Sequence, residues 1–187
     1  MISEKLQKGQ LLVAEPSILG DFSFNRSVIL LAEHNAEGSV GFILNKPLED
    51  YTIGDFLPEI EASFKIYIGG PVEQDNLYFI HTIPKLINNS IEISNGIYWG
   101  GDFELTKSLI NEGKINKEDI RFFLGYTGWS AAQLETEIQN NSWIIAINTL
   151  KKDLLSKSSK KFWKEKINEL GGEYILWTNA PENPNLN

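Results

Sequence analysis

The chain has 187 residues, 42% of them hydrophobic and 22% charged, with 17 Lys and Arg against 25 Asp and Glu for a formal net charge of −8. That length supports one well-buried core, read as a single domain over 1–187 with its body at about 8–177 and a tail at 178–187. The acidic balance argues against direct nucleic-acid binding, which rests on clustered Lys and Arg, and the lack of cysteine excludes disulfides, thiolate nucleophiles and cysteine-ligated zinc.

The amino-terminal run Leu11 to Ala14 is interrupted by Glu15 and Pro16, too short for a signal-peptide core or a membrane span. A soluble cytoplasmic protein is the expectation. Next, Ser27 to Glu33 (SVILLAE) and Ser39 to Asn45 (SVGFILN) are apolar at both parities, as in strands covered on both faces. The segment between them, His34 to Gly38, reads as a hairpin turn. Thr52 with Asp55 forms a capping pair for a short turn through Ile60.

Further strands are expected at Phe64 to Ile68, Leu77 to His81, Ile91 to Ile93, Ile97 to Trp99, Ile120 to Tyr126 and Trp143 to Ile147. Asp102 caps a helix running to about Asn111, and Ser130 opens one ending near Gln139. Phe162, Trp163, Ile167 and Leu170 form an apolar stripe at helical spacing, closed by Gly171 and Gly172. The lysines at 151, 152, 157, 160, 161, 164 and 166 read as a solvated face beside that stripe. Interleaved strands and helices with a hairpin give an α/β fold of α+β character, a mainly antiparallel sheet flanked by helices.

Gly128-Trp129-Ser130-Ala131-Ala132 poses the main chemical question, because a serine between a strand and a helix is the context of a hydrolase nucleophile elbow. Helix initiation accounts for more of the residues. Ser130 as N-cap would make a capping box with Gln133, while Trp129 and Leu134 would form a hydrophobic staple. A triad would also need His34 or His81, the only histidines, and each is equally a polar residue at a strand end. The alternative kept open is a serine-dependent hydrolase using Ser130 with one of these two.

Arg26, Asn45 and Lys46 meet at the open end of the expected hairpin, about 25 Å from His34 and Asn35 at roughly 3.3 Å per residue. They suit an anion, a partner's carboxylate, or simple solvation of a sheet edge. Gly69-Gly70 follows a strand and Gly100-Gly101 precedes a helix, and tight turns explain both better than phosphate cradling does. No cofactor fingerprint is present, and two separated histidines give a metal no cluster of ligands.

In order along the chain, GQLLVAEP (9–16), RSVILL (26–31) with Glu33-His34-Asn35, GFILNKP (41–47), GGPV (69–72), YWGGD (98–102) and RFFLGYTGWS (121–130) resemble the successive blocks of the bacterial YqgE/AlgH family. The one departure is Ala131-Ala132, where the family commonly has Pro-Gly. The resemblance implies a compact α/β fold rich in antiparallel strands, a cytoplasmic bacterial protein and no assigned catalytic activity or cofactor. Some members are described as transcriptional regulators. It also marks Arg26, His34, Asn35, Asn45, Gly69, Gly70, Arg121, Tyr126, Trp129 and Ser130 as positions to watch; with Lys46 these are the candidate binding residues for a protein or small-molecule partner.

Overall fold

Side chains alternate across a strand, so a strand apolar at both parities has to feed two separate core layers. The computed structural model, which describes residues 6–16, 23–157 and 161–179, shows this in β1 (Leu11–Ala14), β2 (Val28–Asn35) and β3 (Gly38–Ile43). Leu11, Val13, Val28, Leu30 and Phe42 enter one layer; Leu12, Ala14, Ile29, Leu31 and Ile43 enter the other. β2 and β3 form the expected hairpin, closed tightly enough that Asn35 pairs with Gly38.

The chain continues through β4 (Pro47–Thr52), α1 (Ile53–Phe56), β5 (Lys65–Ile68), β6 (Val72–His81), β7 (Ile91–Ser94), β8 (Ile97–Trp99) and α2 (Phe103–Asn111). Then come β9 (Ile120–Ser130), α3 (Gln133–Gln139), β10 (Trp143–Ala146), a 3-10 helix at Lys151–Ser156, α4 (Phe162–Leu170) and a 3-10 helix at Gly172–Asn179. The fold is α+β. All ten described strands join one sheet, in the order β10-β1-β2-β3-β9-β6-β8-β7, with β5 against β9 and β4 against β5. Every pairing is antiparallel except β5 with β9.

The long strand β9 organises the sheet. Its first half, Phe122 to Leu124, pairs with β5, and its second half, Thr127 to Ser130, pairs with β3, while β6 lies along the opposite edge. Between the halves Gly125 takes a φ of 67°, in the left-handed region where a side chain is strained. The layer containing Phe42 and Phe123 is covered by Phe162, Trp163 and Ile167 of α4, whose Trp163 indole donates to Ala14 O at 2.9 Å. Leu134 of α3 enters the layer around Leu12 and Ile29, and Leu109 and Ile110 of α2 pack with Phe122 and Phe79. Each such side chain withdrawn from water contributes on the order of 1.5–3 kcal/mol.

Several expectations change, among them the strand from Leu77, which begins already at Val72. β1 and β4 are strands the sequence did not announce: β1 is a four-residue apolar run paired on both sides, and β4 is a polar segment led by Pro47 with Glu49, Asp50 and Tyr51 exposed. The supposed solvated lysine face also loses Lys166, which is 3% exposed, with its ammonium on Glu169 at 2.8 Å and over the Phe162 ring. Residues 178–179 of the expected tail belong to the last 3-10 helix; 180–187 lie outside the described residues, as does Lys160.

Candidate functional site

Ser130 is the last residue of β9, and α3 begins at Gln133 after Ala132 as N-cap. The expected capping box is therefore corrected. The Gln133 side-chain oxygen accepts from the Ser130 amide at 3.0 Å, as foreseen, but the Ser130 hydroxyl donates to that same oxygen at 3.1 Å instead of capping a helix amide. Ala132 has a φ of 60°; a glycine, which the family resemblance leads one to expect here, would hold that conformation without strain. Trp129 and Leu134 do share a core layer. The Trp129 and Trp143 indoles both donate to Glu137 Oε2 at 2.8 Å, which fastens α3 to two strands.

Neither histidine serves Ser130. His81 pairs with Ile120 at the far end of β9 and is fully buried. Its Nδ1 accepts from the Ile83 amide at 3.2 Å and its Nε2 meets Gly100 O at 3.1 Å, a pattern that fits a neutral ring; burial pulls its pKa below the ordinary imidazole value. His34 instead places Nδ1 2.9 Å from Ser39 Oγ on the next strand, with Nε2 3.8 Å from Glu135. Ser39 is only 6% exposed and borders the open groove described below. Among the described residues no hydrogen bond joins Ser130 to a histidine, and no group of three or more His, Cys, Asp or Glu could hold a metal.

The remaining candidates separate into three places. Asn35, Tyr126 and Trp129 line an open groove of about 400 Å³ with Glu33, Glu37 and Val72. It lies where the β2–β3 hairpin meets the second half of β9. The Asn35 amide donates to Glu33 at 2.8 Å and its oxygen accepts from the Glu37 backbone at 2.8 Å, so the turn holds its own polar groups in place. Tyr126 packs edge-on to Tyr78, whose hydroxyl donates to Glu73.

Lys46 and Gly70 line a second cleft of about 240 Å³ with Ile43, Ile68 and Pro71, and the Lys46 ammonium donates to Ser23 O at 2.5 Å. Arg26 and Asn45 do meet near the hairpin's open end, through main chain. Asn45 accepts from Val28 N and donates to Arg26 O, both at 2.8 Å, while the Arg26 guanidinium lies over the Trp163 ring at 5.1 Å. Asn45→Ala removes the partner of the Val28 amide and is expected to cost about 1–3 kcal/mol, measured as a lower urea midpoint at unchanged slope.

Gly69 and Gly70 make a close approach within the chain. The Gly69 amide donates to Leu124 O at 2.8 Å and its carbonyl accepts from Ile43 N at 2.9 Å, threading the segment between β3 and β9. Arg121 occupies a third place. It is 5% exposed, gives Nη1 to Leu44 O at 2.8 Å and Nη2 to Leu155 O at 2.6 Å and Lys157 O at 3.2 Å, and stacks over the Tyr67 ring at 4.6 Å.

A mainly antiparallel sheet centred on one long strand, with an open polar and aromatic groove beside it, defines the class of the molecule. The chain belongs to the AlgH-like family, whose model matches residues 11–175. It is 44% identical over 186 residues to a UPF0301 protein of Cytophaga hutchinsonii, covering 97% of this chain and 100% of the relative. It is 41% identical over 184 residues to a UPF0301 protein of Chlorobium limicola, covering 98% and 97%. The solution structure of the AlgH protein from Pseudomonas aeruginosa superposes with a TM-score of 0.72 at 25% identity, over 97% of each chain. The crystal structure of DIP2367 from Corynebacterium diphtheriae gives 0.72 at 24% identity over 96% and 95%, a likeness of fold. Among the described residues no helix is long and apolar enough to cross a membrane.

Proposed function

We propose that the protein is a noncatalytic, cytoplasmic binding protein of regulatory type, which recognises a cationic group of a protein or small-molecule partner in the groove between the hairpin turn and β9. The observation that carries this reading is the convergence of Glu33, Glu37, Asn35 and Tyr126 on one open surface of about 400 Å³. Carboxylates attract an ammonium or guanidinium, an aromatic face adds cation–π attraction, and Asn35 offers a polar contact fixed by its neighbours. Regulation of transcription, the role described for some members of the resembling family, would act through such a partner, because a net charge of −8 repels DNA.

The test is a crosslinking pull-down comparing wild type with Tyr126→Ala and with Glu33→Gln/Glu37→Gln. A partner captured by wild type should be depleted about tenfold or more by either variant and more weakly held as salt rises. Undiminished capture of every partner by both folded variants would overturn the reading.

A further inference from the structure

A buried guanidinium without a carboxylate is unusual, because desolvating the charge is costly unless an opposite charge or a full set of hydrogen bonds compensates it. Arg121 is such a group: its partners are three main-chain carbonyls and the Tyr67 ring. A guanidinium has five N–H donors. Three are used on Leu44, Leu155 and Lys157, which leaves one proton on Nη1 and the Nε proton without acceptors among the described residues.

Arg121 also lines a cleft of about 80 Å³ together with Lys65, Lys117, Tyr67, Ile120 and Leu155. Three cations thus face one small space that no carboxylate lines, in a chain whose acidic residues outnumber its basic ones 25 to 17. Lys65 and Lys117 are exposed at the rim and have no ion pair among the described residues, whereas Arg121 forms the buried wall. The volume is several times what a single water needs and too small for a nucleotide.

We propose that this cleft is a receptor for one small oxyanion, a phosphate or carboxylate group, held by the free N–H groups of Arg121 and flanked by Lys65 and Lys117. The site shares no lining residue with the groove, being built from the start of β9, from β5 and from Lys117 and Leu155 beside them, so the two readings stand or fall independently.

The experiment is an NMR titration of the full chain with inorganic phosphate, and separately with acetate, at fixed ionic strength, with sodium chloride as the control. It follows the Arg121 Nε–H signal and the amides of Lys65, Tyr67 and Lys117, and is repeated on Lys65→Gln/Lys117→Gln, which changes only exposed side chains. The expected result is a saturable shift confined to these signals with at least one of the two anions, weakened about tenfold in the double variant. Response to phosphate alone selects a phosphoryl ligand, and response to acetate alone selects a carboxylate. Absence of saturation with both anions, or equal affinity in the double variant, would overturn the proposal and leave Arg121 a structural clamp.

Discussion

Gly70→Ala is expected to leave little or no folded protein. A Cβ at this position would overlap Tyr126 O, Tyr126 C and Thr127 N, all main-chain atoms of β9. A flexible side chain could swing aside, but these atoms are committed: Val72 pairs with Tyr126, and Thr127 pairs with Gly41 of β3. Making room therefore means separating β6 or β3 from the central strand. Overpacking in a tight core costs typically about 1–3 kcal/mol, and backbone overlap on this scale belongs at or beyond the upper end of that range. A fall in soluble yield, with the remaining material melting at least about 6 °C lower, is the outcome to look for by thermal denaturation. An alanine variant that melts with wild type would show that the crossing is looser than described.

Phe123→Ala is the second large effect. Phe123 is fully buried, stacks on Phe42 at 5.0 Å and an interplanar angle of 25°, and touches Tyr67 at 6.1 Å. It therefore ties the parallel pair β5–β9 to the layer under α4. Removing a buried ring of this kind costs about 3–5 kcal/mol through lost transfer energy and the cavity left behind. For a chain of this length that corresponds to roughly 6–20 °C in the thermal midpoint. Phe123→Leu should lose markedly less, because it fills most of the same space, and the comparison separates packing from any effect on the backbone.

What the sequence disclosed follows the range of the interactions involved. The β2–β3 hairpin, β8 and the Asp102 cap, whose carboxylate accepts from Leu105 N at 3.0 Å, are set by neighbours within a few residues, and they appear where expected. The second half of β9 was harder. The strand was expected to end at Tyr126, and Gly128 reads as part of a turn, yet it sits in register opposite Val40, a pairing that nothing local could signal. That extension is also why Ser130 became a strand end and lost its place as helix cap.

The candidate residues show the same division. Asn35, Tyr126 and Trp129 were marked by the family resemblance, and the structure gathers them in one groove; Glu33 and Glu37 flank Asn35 in the same hairpin, and it is the pairing of distant strands that sets this turn against Tyr126, Trp129 and Val72. Arg121 was marked without a role, since its carbonyl partners come from two stretches of chain far from it in sequence, at Leu44 and at Leu155 with Lys157. Lys65 and Lys117 were not marked at all. Each looks like any surface lysine until the fold brings it beside Arg121.

The pairing of Gly38–Gly41 with Thr127–Ser130 has a consequence for biosynthesis. As the chain leaves the ribosome the early hairpin presents an open hydrogen-bonding flank whose mate is still untranslated, and such flanks invite association with other nascent chains. Final closure has to await the late strand, a high-contact-order step that is slow compared with helix docking. Slowing translation between the two segments should thus lengthen the interval in which newly made chains need chaperone protection.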